Sequence, residues 1–191
     1  MRLRQLNHFL TGNVIVLGLY ILLSPVLPSI WYQIHRPKLA GNSIVQVDPR
    51  KKPDTTPISD NLELKIPRLT MIETIHTGTS VYELSKGAWL VPKTSTPDAD
   101  SNTVIIGHRF TYAGPAVFYF LDKIQVNDRI TIIWQRKEYT YKVSEIKVVP
   151  PSDVAVQNPT TKAQLTLYTC TPLITAKNRL VIIAPLIGVR S

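Results

Sequence analysis

The only cysteine of this 191-residue chain, Cys170, lies at the end of an apolar alternating segment and is the strongest candidate for chemistry. A lone cysteine cannot form a disulfide within the chain, so its role is packing, reactivity or pairing with another molecule. Polar residues precede the thiol between Thr166 and Thr169, and Thr171-Pro172 follow it. Because proline has no N–H to donate, strand pairing should stop there. The pattern predicts a thiol at the exposed end of a strand, where it can act as a nucleophile.

Two other residues could assist such a nucleophile. His108 directly follows the apolar segment 103–107, so its imidazole should leave the sheet where a loop begins. Arg179 opens the last strongly apolar segment, and pairing of this segment with the Cys170 strand would bring the arginine back to the thiol. Imidazole transfers protons near neutral pH, and the forked guanidinium suits an acyl oxyanion or a peptide carbonyl. The three side chains together predict acyl transfer through a cysteine.

Each of these residues also has a structural interpretation when it is considered alone. A free cysteine is usually buried as a small hydrophobic residue, a histidine at a strand end is usually hydrogen-bonded, and an arginine there is usually on the surface. Metal binding is not expected, because one cysteine and four scattered histidines lack the close ligand pairs of a zinc site. The carboxylates Glu73, Glu83 and Asp122 are dispersed and are interpreted as solvated surface groups.

The elements that must position these residues are short β-branched segments separated by proline and polar turns. Such segments cover residues 62–66, 70–76, 103–107, 130–134, 139–149, 163–169 and 180–184. This many candidate strands predict a barrel or a sandwich. Residues 81–85 and 116–121 could form single helical turns, which are too short for the crossovers of a parallel α/β sheet. The chain should therefore form a mainly antiparallel all-β domain.

The N-terminal part of the chain differs in charge and hydropathy. The chain has 22 Lys and Arg against 13 Asp and Glu, and most of the +9 excess lies in residues 1–52. A basic excess beside an apolar segment suits anionic lipid head groups, so no nucleic-acid partner is expected. Residues 9–32 carry no charge and would span roughly 36 Å as a helix, enough for one single-pass transmembrane segment.

These features predict the organisation of the chain. Residues 1–8 should form a short cytoplasmic N-terminus, 9–32 a membrane anchor, 33–60 a proline-containing linker, and 61–191 a catalytic domain on the extracellular side of the cell membrane. Arg2 and Arg4 favour the cytoplasmic placement of the N-terminus. A cleaved signal peptide is the alternative, but no small-x-small cleavage site follows the apolar segment.

Together these motifs resemble the sortase family, the membrane-anchored cysteine transpeptidases of bacteria. The resemblance covers residues 62–184. It rests on Gly-His at 107–108, Thr-Leu-x-Thr-Cys at 166–170 and Arg-Leu-Val at 179–181, which occur in family order. Segments 64–69 and 86–89 also match the family.

The resemblance implies an eight-stranded β-barrel with short helices that cleaves a C-terminal sorting signal of the Leu-Pro-x-Thr-Gly type in secreted proteins. Cys170 would attack the threonine carbonyl to form a thioester, His108 would transfer protons, and Arg179 would stabilise the oxyanion. Thr169 is a further candidate for oxyanion support. The acceptor would be an amine of a cell-wall precursor or of another surface protein, and no metal or organic cofactor is implied.

The finer resemblance is to the sortases grouped as classes D and E. Residues 108–115 match these classes, in some of which a tyrosine beside the site accompanies preference for Leu-Ala-x-Thr-Gly, and Tyr112 is the candidate. Asp48-Pro49 is followed by Arg50 instead of the aromatic residue of a pilus-sortase lid. Residues 149–162 are a candidate wall of the substrate groove. One alternative is an L,D-transpeptidase, which the chain does not favour because Cys170 lacks the Ser-x-Gly-Cys setting of that family. The other is a membrane-tethered β-domain that binds a surface partner without catalysis.

Overall fold

The computed structural model describes residues 2–24, 27, 30, 62–111 and 114–191. The chain divides into two compact units, Met1–Asn42 and Ser43–Ser191. The first unit contains the helix α1 (Arg2–Leu23), and the second contains a β-domain with short 3-10 helices. The predicted linker 33–60 and the predicted domain boundary at residue 61 lie outside the described residues.

The transmembrane helix predicted over residues 9–32 is not found in the part of this segment that the structure describes. Among the described residues, no helix is both long enough and apolar enough to cross a membrane. The helix α1 begins with a polar sequence, and its part within the predicted segment runs from Phe9 to Leu23.

The β-domain is built from short strands on which buried and more exposed side chains alternate, as in β1 and β8. In chain order the strands are β1 (Glu63–Ile66), β2 (Met71–His76), β3 (Ala88–Leu90), β4 (Asn102–Ile106), β5 (Phe110–Thr111), β6 (Gly114–Pro115), β7 (Arg129–Trp134), β8 (Lys137–Lys142), β9 (Glu145–Val149), β10 (Gln164–Thr171) and β11 (Asn178–Arg190). The 3-10 helices cover Pro67–Leu69, Val81–Lys86, Leu121–Lys123 and Val154–Gln157.

The sheet closes into a barrel because its outer strands meet. The strand order is β10-β4-β3-β2-β1-β7-β8-β11, and β10 also pairs with β11, so eight strands form a closed ring. β8 and β9 pair with successive parts of β11. β8 pairs with residues 186–190 and β9 with residues 179–183. Neighbouring strands are antiparallel except β2–β3 and β4–β10. The predicted eight-stranded, mainly antiparallel barrel is confirmed.

The observed strands differ from the predicted segments in several places, and the short strands β5 and β6 lie outside all of them. The segment 139–149 is divided between β8 and β9, because the chain breaks the regular pairing at Val143, which hydrogen-bonds to Asp128 instead of to β11. β11 continues past Ala184 because its C-terminal half pairs with β8. β3 is too short to give a clear alternating pattern. The predicted helical turn at 81–85 is a 3-10 helix.

Large apolar side chains from around the ring fill the barrel. The fully buried set includes Leu64, Ile66, Ile105, Phe118, Leu121, Ile130, Ile132, Leu165, Leu167 and Ile182. Because β4 and β10 run parallel, their C-terminal ends reach the same edge of the barrel. This edge, here called the site rim, carries the residues predicted to do chemistry.

Candidate active site

Cys170 and Arg179 face each other across β10 and β11 at the site rim. They are direct partners in the antiparallel register. Side chains of direct partners lie on the same face of a sheet, with Cβ atoms about 4.5–5.5 Å apart. Both residues are partly exposed, and β10 ends at Thr171, before Pro172. The structure therefore brings the predicted nucleophile and the predicted cation together at a strand end.

His108 reaches the same rim from β4. Ile106 lies opposite Tyr168 in the parallel register, so His108 follows β4 to about the level of Cys170. Adjacent strands lie about 4.8 Å apart, which places the histidine beside the thiol strand. The His108 carbonyl accepts a hydrogen bond from the N–H of Phe118 at 3.0 Å. Since Phe118 is fully buried, the core fixes the backbone at the histidine, while the imidazole remains partly exposed.

Thr169 joins β10 to the end of β4. Its side chain is buried on the opposite face of β10 from Cys170, and its hydroxyl donates to the Gly107 carbonyl at 2.7 Å. The Gly107 N–H donates to the Tyr168 carbonyl at 3.4 Å. These bonds hold the backbone before His108 against the strand that carries the thiol. Oxyanion support by Thr169 stays a prediction.

Gly107 has no room for a larger side chain. A Cβ added there would lie 2.6 Å from Cγ1 of Val117 and 2.7 Å from Cδ2 of Phe118. Gly107→Ala should lower the free energy of unfolding by about 1–3 kcal/mol, because the buried Phe118 ring cannot move without disturbing the core. Urea denaturation measures the change. Gly188→Ala is the matched control, since a Cβ there meets nothing within 4 Å, and equal losses in the two variants would contradict the explanation.

Arg109 links the histidine loop to the thiol strand, a role that the sequence pattern does not reveal. Its guanidinium is buried and donates to the Thr171 hydroxyl at 3.0 Å. It also forms an ion pair with Asp122 at 3.0 Å. Asp122 is therefore the partner of a buried arginine and not simply a solvated surface group. Because Arg109 and Thr171 directly follow His108 and Cys170, this contact fixes the backbone beside both predicted site residues.

Tyr168 forms part of the site on the same face of β10 as Cys170. Its hydroxyl accepts a hydrogen bond from Nε2 of Gln157 at 3.0 Å. Burial raises the pKa of the phenol, Arg179 and the Gln157 hydrogen bond oppose this rise, and Cys170 adds to it. The register agrees with this, since Tyr168 and its partner Val181 lie two residues from Cys170 and Arg179 on the same pair of strands. The Thr-Leu-x-Thr-Cys pattern leaves this residue unspecified, so the sequence alone did not identify it.

The loop between β9 and β10, residues 150–163, packs against the outer face of β4 and β10. The buried Asn102 side chain donates to the carbonyls of Val156 and Asn158, both at 3.0 Å. Its own carbonyl accepts a hydrogen bond from the Thr166 hydroxyl at 2.7 Å. These contacts, with the Gln157 bond to Tyr168, place the loop beside the site, where the sequence predicted a groove wall.

Two further predictions concern Tyr112 and metal binding. Tyr112 lies outside the described residues, so its role stays a prediction. Within the described ranges, no group of three or more His, Cys, Asp and Glu residues could hold a metal ion.

Fold and site together define a class of protein. A thiol on one strand, a guanidinium directly across from it and an imidazole at the neighbouring strand end form one partly exposed surface. A thiol is a nucleophile, an imidazole transfers protons, and a guanidinium stabilises negative charge on oxygen. This set of groups on the rim of a closed β-barrel suits acyl transfer through a cysteine.

Comparison with known proteins identifies the family. Residues 64–187 match the family model described as Sortase domain. Sortase SrtE1 of Streptomyces coelicolor is 36% identical over 100 residues, which cover 47% of this chain and 28% of that protein. Sortase D of Bacillus subtilis is 30% identical over 122 residues, which cover 63% of this chain and 58% of that protein. The chain thus spans less than two thirds of either curated relative.

A solved structure agrees with this assignment. Crystalline Sortase E1 from Streptomyces coelicolor with a tripeptide in the active site has a TM-score of 0.60 and 30% identity to this chain. The match covers 69% of this chain and 90% of that one. The chain belongs to the sortase family, and sortases are cysteine transpeptidases.

Proposed function

We propose that this protein cleaves a C-terminal sorting signal of secreted proteins and joins the new carboxyl end to an amine. The observation that carries the proposal is the direct register of Cys170 and Arg179, next to the end of β4 that leads to His108. A peptide carbonyl presented to this rim would meet a nucleophile and a cation on one face. The family assignment supports transpeptidation as the reaction.

In the first step of the proposed reaction, the Cys170 sulfur attacks the threonine carbonyl carbon of the signal. The carbonyl π electrons move to oxygen and form a tetrahedral oxyanion. When this adduct collapses, the C–N bond breaks and the glycine amine leaves with a proton from the His108 imidazolium. The acyl group remains on Cys170 as a thioester, and the imidazole is neutral and ready to accept a proton.

In the second step an amine attacks the thioester carbon, and the sulfur leaves as the new amide forms. His108 is the proposed base that takes a proton from the incoming amine. Because a thiolate and an imidazolium titrate as a coupled pair, a bell-shaped pH profile of the rate would belong to the pair and not to either residue.

Arg179 is the proposed stabiliser of the oxyanion. Its Nη1 donates to the carbonyl of Ala176 at 3.2 Å and to that of Asn178 at 3.1 Å. Both bonds use the same nitrogen, so they fix the planar group while Nε and Nη2 can still donate to a substrate oxygen. Charged donors placed in advance stabilise a transition state because no reorganisation is needed when the charge develops.

The proposed signal is Leu-Pro-x-Thr-Gly or Leu-Ala-x-Thr-Gly. The second form is included because residues 108–115 are similar to sortases of classes D and E. The tripeptide in the active site of Streptomyces coelicolor Sortase E1 supports a peptide as the ligand here. We also propose that the catalytic domain acts on the extracellular side of the cell membrane, where secreted proteins and cell-wall amines are present.

Peptide cleavage tests the proposed function. The full chain is incubated with fluorogenic peptides that carry either signal, with and without triglycine as the amine. Cleavage of one peptide, with a ligated product by mass spectrometry only when triglycine is present, is the expected result. If neither peptide is cleaved and the folded protein resists thiol alkylation, the proposal is wrong and a non-catalytic binding domain is favoured.

A further inference from the structure

A cavity of about 430 Å³ adjoins His108 on the side of β4 away from the thiol. It is lined by His108, Glu73, residues 84–87 and residues 115–117, whereas Cys170 and Arg179 are not among its lining residues. The cavity exists because β3 is short. Its first residue, Ala88, pairs with Ile75, so residues 71–74 of β2, which lie towards the site rim, pair with β1 but have no β3 residue on their other side. The His108 imidazole thus has the thiol strand β10 on one side and this cavity on the other.

Glu73 contributes a carboxylate to the lining of this cavity. It lies in the inward row of β2 and pairs with Leu64, which is fully buried. Among the described residues, Glu73 has no ion pair. The cationic lining residue, Lys86, is instead held by Glu83 at 3.0 Å. A half-buried carboxylate in an apolar row therefore faces the same space as the imidazole, and Glu73 is not the solvated surface group that the sequence suggested.

We propose that this cavity binds the amine that resolves the acyl-enzyme, with Glu73 holding its ammonium group beside His108. The proposal rests on the proposed function. The ligand class is a primary amine carried on a peptide, which is mostly protonated near neutral pH and so needs both an anionic contact and a base. Glu73 supplies the contact, and the imidazole supplies the base.

The proposed transfer is balanced in atoms and electrons. The ammonium ion loses one proton to the neutral His108 imidazole, and the freed lone pair forms the C–N bond at the thioester carbon. The C–S bond breaks, and its electron pair leaves on Cys170 as a thiolate. The second proton on nitrogen passes to solvent as the adduct collapses. The products are an amide, a thiolate, an imidazolium and one released proton.

Steady-state transfer kinetics of Glu73→Gln in the full chain test this assignment. The variant should raise the KM for triglycine about tenfold, because it removes a charge-assisted hydrogen bond. Amine-free hydrolysis of the peptide should fall far less than the KM for triglycine rises, since water needs no ammonium-binding contact to resolve the acyl-enzyme. Hydroxylamine, which is largely uncharged at pH 7.5, should react equally with both proteins. Glu145→Gln is the matched control, because it removes the same charge from an exposed strand position.

The outcomes separate this inference from the proposed function. Failure of the wild-type chain to form an acyl-enzyme by mass spectrometry would overturn the proposed function and this inference with it. Normal acylation in Glu73→Gln with an unchanged KM for triglycine would overturn the assignment of the cavity alone. Equal losses with triglycine and hydroxylamine would also overturn it, because they indicate a general disturbance of the site. A parallel assay with Nα-acetyl-lysine distinguishes a lysine side chain from a chain terminus as the source of the amine, and the same selective effect with either amine supports the proposal.

Discussion

Cys170→Ala should abolish cleavage of the sorting-signal peptide, with a loss of turnover of at least about 10⁴-fold. The variant removes the sulfur that forms the acyl bond, and no other thiol exists in the chain to replace it. An acyl adduct on the intact protein should appear by mass spectrometry with the wild type and be absent with the variant. The fold should be retained, because Cys170 is only partly buried and its register partner Arg179 is unchanged.

The control for this prediction is the stability of the two proteins. Urea denaturation should give free energies of unfolding within about 1 kcal/mol of each other, since the substitution removes one partly exposed sulfur atom. Iodoacetamide should label the folded wild type near neutral pH and leave the variant unmodified. Retention of more than about 1% of the turnover by Cys170→Ala would assign the chemistry to another group and end the cysteine mechanism.

The parts of the fold and site that depend on local pattern could be predicted from the sequence. The alternation before Cys170 and the proline two residues after it locate the end of β10. The short connection to Arg179 then makes an antiparallel neighbour the simplest path, and β11 pairs in this way. His108 follows its strand directly, so the parallel register of β4 and β10 brings it to the same rim.

The contacts that depend on barrel closure could not be predicted in this way. Arg109 and Thr171 are 62 residues apart in sequence, and only the pairing of β4 with β10 makes them neighbours. The sequence predicts Asp122 as a solvated surface group, yet its carboxylate forms an ion pair with Arg109. Glu73 lies in a cavity because β3 is short, which is a property of the neighbouring strand and not of its own segment.

The N-terminal helix shows that composition alone does not predict where a helix begins and ends. A run of residues without charge set the predicted span at 9–32, but α1 begins at Arg2 and ends at Leu23. Hydropathy describes the average of a segment, whereas the bounds of a helix depend on the particular residues at each end. The bounds of the barrel strands are less sensitive to single residues at their ends, because each of these strands is hydrogen-bonded to adjacent strands.

Arg179→Ala should lower kcat/KM for the peptide by about 10²–10³-fold, the loss expected when one oxyanion donor is removed. Arg179→Lys should recover only a small part of this loss, although it keeps the positive charge. The arginine orients its plane by donating from Nη1 to the carbonyls of Ala176 and Asn178 and keeps other N–H groups for the substrate. A lysine ammonium is a single point donor, so bonding to the loop carbonyls would draw it away from the oxyanion.

The separate effects on kcat and KM distinguish transition-state stabilisation by Arg179 from simple binding of the peptide. If the guanidinium acts mainly on the oxyanion, kcat for acylation falls and KM changes little; if it only binds the signal, KM rises and kcat is kept. Arg190→Ala is the matched control, because Arg190 is at the other end of β11 and pairs with Glu138 at 2.5 Å. Its kcat/KM should stay within about threefold of the wild type, since a partly exposed ion pair contributes little. Activity of Arg179→Lys close to that of the wild type would show that a positive charge alone suffices. The orientation of the guanidinium plane would then have no part in the reaction.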